Sequence, residues 1–215
     1  MKRPQPIRLL LIVLVALCAL ASQTHAFASQ SVDTSLLYPA LGSGLSWTCQ
    51  ATGTDVICRA TAQFSDSFGD TGLPCGGGTI YEAGTGKFDI TRVYTYEPTG
   101  VSGPGYYLTR SIGQENFKFT ESLSPTGAGI TAPWKTHDTF TIDFAVPGDW
   151  STTTQTIRGD MGSANASGTG LLFHDVGLTI FPNDPNADVI VHGPHDLLKH
   201  FDQGVAALCS VLTGP

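Results

Sequence analysis

The stretch Thr139-Phe-Thr-Ile-Asp-Phe-Ala-Val146 has a large apolar side chain at every second position and mostly polar residues between them. Successive side chains of an extended chain point to opposite faces, so the apolar positions 140, 142, 144 and 146 share one side. This period of two predicts a β-strand with one buried face and one exposed face.

Similar patterns recur along the chain and predict a mainly β protein. Rougher alternation marks 88–96, 117–121 and 152–160, and short apolar runs occur at 171–173, 178–181 and 189–191. Segments rich in Gly, Pro and Ser separate them and are predicted as loops: 65–78, 97–105, 122–136, 147–151 and 161–168. We therefore expect about ten strands in an antiparallel β-barrel or β-sandwich, two architectures that share this alternation.

The C-terminus changes to a helical period. From Asp196 the apolar residues fall at 197, 198, 201, 205, 208, 209 and 212, and Pro194 and Asp196 suit a first helical turn. This spacing predicts a short C-terminal α-helix. Gly204 lowers helix stability by about 1 kcal/mol relative to Ala, so we expect any break in this helix at Gly204.

Composition and charge limit the classes of function. The chain has 215 residues, 41% of them hydrophobic, which allows one domain with an apolar core. Lys and Arg number 11 against 18 Asp and Glu, a formal charge of −7. An acidic chain of this kind lacks the basic surface that tracks phosphates, so we expect no nucleic-acid partner.

The first 28 residues have the pattern of a secretory signal peptide. Three basic residues precede an apolar run at 9–20, which is too short to span a bilayer. The small residues Ala26 and Ala28 each offer a cleavage site. We therefore expect a secreted, extracellular protein of bacterial source, with no membrane span after cleavage and a charge of −10.

Four cysteines follow the leader, an even number that suits an oxidising compartment. Gly53-Thr54 suits a two-residue type II′ hairpin turn, which places Cys49 opposite Cys58 in a non-hydrogen-bonded pair. In such a pair the Cα atoms lie about 4.5 Å apart, within the range of a disulfide. We therefore expect Cys49–Cys58, and Cys75–Cys209 by elimination, which would staple the helix to the sheet.

Four separated segments share a pattern: Cys75-Gly76, the run 172–181 with its Phe-x-Asp-x-Gly, Gly193-Pro194-His195-Asp196, and Ala207-Leu208-Cys209. Together they resemble a group of uncharacterised secreted bacterial β-domains. The resemblance implies a barrel-like or sandwich sheet closed by the Cys75–Cys209 bridge, and it implies no activity. On this interpretation 29–66 is an N-terminal extension with the disulfide hairpin, and 67–215 is the β-domain.

Histidines concentrate in the last third of the chain and form one candidate site. His174, His192 and His195 could hold a metal ion, joined by Asp175 or Asp196, because zinc takes three or four converging N, O or S ligands. The alternative is that Gly193-Pro194 makes a strand-to-helix corner at which His195 hydrogen-bonds to backbone.

Aromatic residues form the second candidate site. Trp134 and Trp150 fall in predicted loops, and Tyr106 and Tyr107 follow another. Exposed aromatic side chains on a rigid β-scaffold bind sugar rings or apolar ligands. The alternative is that they cap the open ends of the sheet.

These observations favour a non-catalytic module that binds a small molecule, a glycan or a cell-surface component without a cofactor. Around the serines and cysteines there is no G-x-S-x-G or C-x-x-C motif. One alternative is a secreted metal-dependent enzyme that uses His174, His192 and His195. Another is a purely structural extracellular protein.

Overall fold

Nine β-strands and one C-terminal helix make up most of residues 32–166 and 170–214, the part of the chain that this computed structural model describes. The predicted leader at 1–28 lies outside these residues. The elements are β1 (Leu37–Tyr38), β2 (Thr48–Thr52), β3 (Asp55–Cys75), β4 (Gly78–Tyr96), β5 (Tyr106–Ser122), β6 (Thr131–Phe144), β7 (Thr153–Ala166), β8 (Gly170–Phe181), β9 (Ile190–His192) and α1 (Asp196–Thr213). Short 3-10 turns lie at Thr34–Leu36 and Trp150–Thr152.

The strands form one sheet in which neighbours in sequence are neighbours in space. From β2 to β9 each strand pairs antiparallel with the next, while β1 pairs in parallel with the start of β5. Within the described chain β2 and β9 are the edges of this order, and no pairing joins them. The mainly β fold with a short C-terminal helix is therefore confirmed. Within the described residues no strand pairing closes the sheet.

Several predicted loops proved to be wrong, because turn-forming residues lie inside long strands. β3 has 21 residues and covers most of the predicted loop 65–78. Its register shifts between Asp66 and Gly69 and between Asp70 and Pro74, so the Gly, Ser and Pro residues there are taken up as bulges. The expected boundary between 66 and 67 falls inside this strand.

The same correction applies on the other side of the sheet. β6 begins at Thr131, so the second half of the predicted loop 122–136 is strand and Trp134 does not lie in a loop. β7 continues into 161–166, and β8 joins the two runs 171–173 and 178–181 into one strand. The described chain therefore has nine strands rather than about ten.

The β2–β3 hairpin confirms the local disulfide. Thr52 pairs with Asp55 and Cys49 with Cys58, so Gly53-Thr54 is the two-residue turn. Gly53 takes a φ of 64° while Thr54 is not among the residues with positive φ, as a type II′ turn requires. The Cα atoms of the two cysteines are 4.0 Å apart and their sulfurs are bonded.

Two apolar cores lie on one face of the sheet, which we call the inner face, at opposite ends of the long strands. The N-terminal core contains Leu37, Val56, Cys58, Tyr94, Leu108 and Phe144. The C-terminal core contains Cys75, Ile80, Ala132, Leu208 and Leu212, so α1 packs on this face. A buried Leu or Ile side chain contributes about 1.5–3 kcal/mol, so each core fixes one end of the sheet.

The Cys75–Cys209 disulfide joins the end of β3 to α1 and confirms the second predicted pair. The helix is irregular at His200 (φ −139°, ψ 44°) rather than at Gly204, so the expected break is misplaced. Gly204 is buried, and packing against the sheet overrides its low helix propensity.

Candidate functional site

His195, the centre of the predicted histidine site, is buried at the corner between β9 and α1. It is 1% exposed, and its Nδ1 lies 2.5 Å from Oδ1 of Asp175. Its Nε2 lies 3.1 Å from the carbonyl oxygen of His192. Gly177 makes room for this ring, because a Cβ there would lie 2.8 Å from Nε2. Both ring nitrogens therefore face oxygen acceptors within the protein.

The other predicted metal ligands are placed differently. His174 precedes Asp175 on β8, so the two side chains leave the strand towards opposite faces. His192 is exposed on β9 and offers its backbone carbonyl to His195. Asp196 is the first residue of α1. Among the residues that the structure describes, no three His, Cys, Asp or Glu side chains are grouped so as to hold a metal ion.

Three of the four predicted aromatic ligand residues lie near the N-terminal core. Trp150 is 45% exposed, and its ring centroid is 4.8 Å from that of Phe144. Tyr107 stacks on Tyr38 at 5.3 Å, and Tyr106 meets the edge of Tyr96 at 5.1 Å.

Trp134 is far from these three. It lies ten residues before Phe144 on β6, a distance of about 33 Å along an extended strand. The structure therefore does not bring the four predicted residues into one site.

Trp134 instead belongs to a row of aromatic side chains that crosses the inner face from β3 to β8. Neighbouring ring centroids in this aromatic row are 4.2–6.3 Å apart, the range of favourable ring contacts. Its members are Phe64, Phe117, Phe119, Trp134 and Phe173. The stacked pair of Phe119 and Trp134 has the shortest separation, 4.2 Å.

Glycines in β4 and β5 give these rings their space. A Cβ at Gly84 would lie 2.7 Å from the rings of both Phe64 and Phe119. On β5, Gly113 lies under Phe88 and Phe140, whose rings stack at 5.4 Å. The aromatic side chains therefore lie over glycine positions and cover the inner face between the two cores.

The aromatic row is only partly covered. Phe64 is 36% exposed, and Phe117, Phe119 and Trp134 are half-buried. Phe173, at the other end of the row, is 6% exposed. The middle of the inner face thus presents accessible aromatic surface between the helix at one end and the N-terminal core at the other.

A pair of carboxyl groups lies beside Trp134. The indole Nε1 donates to Oε1 of Glu121 at 3.0 Å and lies 3.2 Å from Oε2 of Glu82. Glu121 is 5% exposed, and within the described chain its Oε2 has no hydrogen-bond partner. Burial, together with the neighbouring Glu82 carboxyl, raises the pKa of Glu121 to about 8.

A second pair lies on the other side of the aromatic row. Glu115 on β5 is directly opposite Asp138 on β6. Burial, with the charges of Glu115 and Asp160, raises the pKa of Asp138 to about 7. Burial also raises the pKa of Glu115.

Thr136 lies between the two carboxyl pairs on β6. Its side chain is on the inner face, opposite Phe117, and the residue is 7% exposed. Its hydroxyl has no hydrogen-bond partner in the part of the chain described. A buried polar group without a partner costs about 1–3 kcal/mol, so this position can gain from a bound ligand.

We call this arrangement the inner-face site: the aromatic row, the carboxyl pairs Glu82/Glu121 and Glu115/Asp138, and Thr136. On β5 the order Glu115, Phe117, Phe119, Glu121 repeats every second residue, so these four side chains share one face. The predictions included only Trp134. The period-two spacing of acids and aromatics in 115–121 is the signal that could have indicated the four members on β5.

Basic side chains of the sheet face the other way. Of the Lys and Arg residues in the described strands, only Arg92 falls on the inner face. Its guanidinium lies 4.9 Å from the ring centroid of Trp47 and 5.8 Å from that of Trp150, at the N-terminal core. The inner-face site is therefore acidic and aromatic.

The outer face carries a shallow groove of about 370 Å³. Lys118 and Lys135, which are opposite each other on β5 and β6, line it together with Phe119, Thr120, Pro133, Trp134, Ser163 and Asn165. By register the lysine side chains are on the face opposite the aromatic row, and the groove that they line also touches Phe119 and Trp134.

No protein-family model, curated protein or solved structure matches the chain. No helix of the described residues has the length and apolar character needed to cross a membrane.

Proposed function

We propose that this protein is a non-catalytic binding module that holds a small molecule, or one residue of a larger glycan or cell-surface component, on its inner-face site. The observation that carries the proposal is the partly exposed aromatic row between the two apolar cores.

Exposing the apolar surface of aromatic rings to water is unfavourable in free energy. Partly exposed aromatic rings are typical of ligand sites. Large aromatic side chains dominate the energetics of interfaces. Rigid scaffolds that present apolar surface with a few polar groups are typical of small-molecule sites. Here the disulfide at each core and the long paired strands hold the rings in place before any ligand arrives. Little ordering is then needed on binding, which favours affinity.

We further propose that the module is secreted by a bacterium. The pattern of residues 1–28 supports export, and the two disulfides are compatible with an oxidising compartment.

The test uses Nile red, a neutral dye whose fluorescence rises in apolar sites, titrated into the purified protein. We expect one saturable site per chain. Phe64→Ser removes an exposed ring at the edge of the row and should weaken binding about tenfold, since an aromatic contact contributes about 1.5 kcal/mol. Phe201→Ser is the matched control, because Phe201 is 51% exposed on α1 and outside the row.

Circular dichroism checks that both variants fold. The proposal is wrong if the native protein shows no saturable site, or if Phe64→Ser binds the dye as the native protein does.

A further inference from the structure

We infer that the ligand of the inner-face site is an organic cation, an ammonium group carried on an apolar or aromatic body. This inference rests on the proposed binding function and specifies the chemistry of its ligand. The ammonium lies at the Glu82/Glu121 pair and the apolar body lies on the rings of Phe119 and Trp134.

The first argument is charge. The inner-face site holds four carboxyl groups. Of the Lys and Arg residues in the described strands, Arg92 is on the inner face; it is ten residues and about 33 Å along β4 from Glu82, and four residues and about 13 Å from Phe88, which pairs with Glu115. Its guanidinium lies against the rings of Trp47 and Trp150, and its buried Nε has no hydrogen-bond partner within the described residues. The Glu82/Glu121 pair thus has no Lys or Arg of the described strands beside it on the inner face, which disfavours an anionic ligand there.

The second argument is the pattern of unused hydrogen-bonding groups. Oε2 of Glu121 and the hydroxyl of Thr136 are buried and have no partner within the described residues. An ammonium group carries up to three N–H donors, and bonds of this kind to a carboxylate are among the strong ones in proteins. Oε2 of Glu121 belongs to the carboxyl group whose other oxygen accepts from the Trp134 indole.

The third argument is the surface beside the carboxyls. Aromatic side chains offer large apolar surfaces to a ligand. Trp134 presents its N–H to Glu121 and Glu82 while its ring stacks on Phe119. A ligand with an ammonium group next to an apolar body matches this arrangement, in which carboxyl groups lie beside aromatic rings.

The crowding of Glu121 by Glu82 supports the same conclusion. Burial and the Glu82 carboxyl raise the pKa of Glu121 to about 8, so near pH 7 Glu121 holds a proton. Trp134 on β6 is the other group hydrogen-bonded to the pair. An arriving ammonium replaces that proton as the neutralising charge, and the proton passes to the buffer.

The experiment compares two probes of similar shape by isothermal titration calorimetry at pH 7. They are phenethylammonium, which carries the charge, and 2-phenylethanol, which is neutral. We expect the cation to bind about tenfold more tightly, and to release a proton when the titration is repeated in buffers of different ionisation enthalpy. Glu121→Gln and, separately, Glu82→Gln should remove this preference. Asp188→Asn, in the exposed segment before β9, is the control carboxyl-to-amide substitution and should keep it.

The outcomes separate the two proposals. A preference for the cation that is lost in both Gln variants supports the inference. Equal binding of the two probes on the native protein overturns the cationic ligand and leaves the binding function standing. Binding of neither probe, with no Nile red site, overturns both.

Discussion

The indole N–H of Trp134 donates to the buried carboxyl of Glu121 at 3.0 Å, and the same indole stacks on Phe119 at 4.2 Å. One side chain therefore joins the aromatic row to the acidic pair. This contact fixes the orientation of the ring, because the hydrogen bond and the stack act on different parts of it. The titratable group in this contact is the buried Glu121 carboxyl, so its protonation changes the stability of the fold.

Stability should fall as the pH rises through neutrality, because Glu121 holds its proton in the folded protein. Its pKa is raised from 4.5 to about 8, so between these values the folded state binds a proton that the unfolded chain has released. Each such carboxyl lowers the free energy of unfolding by about 1.4 kcal/mol per pH unit in this window. Urea unfolding of the native protein from pH 5 to 9 measures the slope.

Glu121→Gln keeps the shape of the protonated side chain and cannot ionise. We expect its stability to match the native protein near pH 5 and to exceed it at pH 9. Asp188→Asn, an exposed carboxyl, serves as the control and should leave the slope unchanged. Identical slopes for the native protein and Glu121→Gln would show that Glu121 ionises normally.

The stacked pair of Phe88 and Phe140 depends on the absence of a side chain at position 113. A Cβ there would overlap both rings, so Gly113→Ala should cost about 1–3 kcal/mol as they are displaced. Gly69→Ala has open space around the new methyl and should change stability by about 0.5 kcal/mol or less. Denaturant midpoints compare the two. Equal midpoints would mean that the rings move aside without a loss of stability.

The contact between Asp175 and His195 should stabilise the corner between β9 and α1. Asp175→Ala leaves Nδ1 of the buried imidazole without this partner, which costs about 1–3 kcal/mol. Asp175→Asn retains an oxygen acceptor at the same place and should cost less. Urea unfolding at one pH ranks the three proteins, and an Asn variant as unstable as the Ala variant would argue against the hydrogen bond as the cause.

The two disulfides should differ in their contribution. The Cys75–Cys209 bridge spans 134 residues and the Cys49–Cys58 bridge only 9. In the chain-entropy description, removing the long bridge by Cys75→Ser with Cys209→Ser costs about 5 kcal/mol. Removing the short one by Cys49→Ser with Cys58→Ser costs about 3 kcal/mol. Unfolding of the two double variants measures the difference, and a larger loss from the short bridge would reverse this order.

The sequence predicted those features that depend on neighbouring residues. The Gly53-Thr54 turn and the spacing of Cys49 and Cys58 determine one another, so the hairpin and its bridge follow from local geometry. The alternation at 139–146 likewise identified part of β6, although that strand ends at Phe144.

The features that the sequence missed depend on register between distant strands. Bulges let Gly, Ser and Pro lie within β3, so its length is invisible to a search for turn residues. Glu82, Glu121 and Trp134 come from three strands and meet only because β4, β5 and β6 pair in one particular register. Single acidic residues in separate strands carry no signal of that meeting.

The most direct test of the inner-face site uses the three tryptophans of the chain, Trp47, Trp134 and Trp150. Their indole N–H groups give separate signals in a ¹⁵N-correlated NMR spectrum, assigned by replacing each Trp with Phe. On titration with phenethylammonium, we predict that the Trp134 signal shifts in a saturable way while those of Trp47 and Trp150 stay in place. A shift confined to Trp47 or Trp150, or no saturable shift of any indole, would contradict binding at this site.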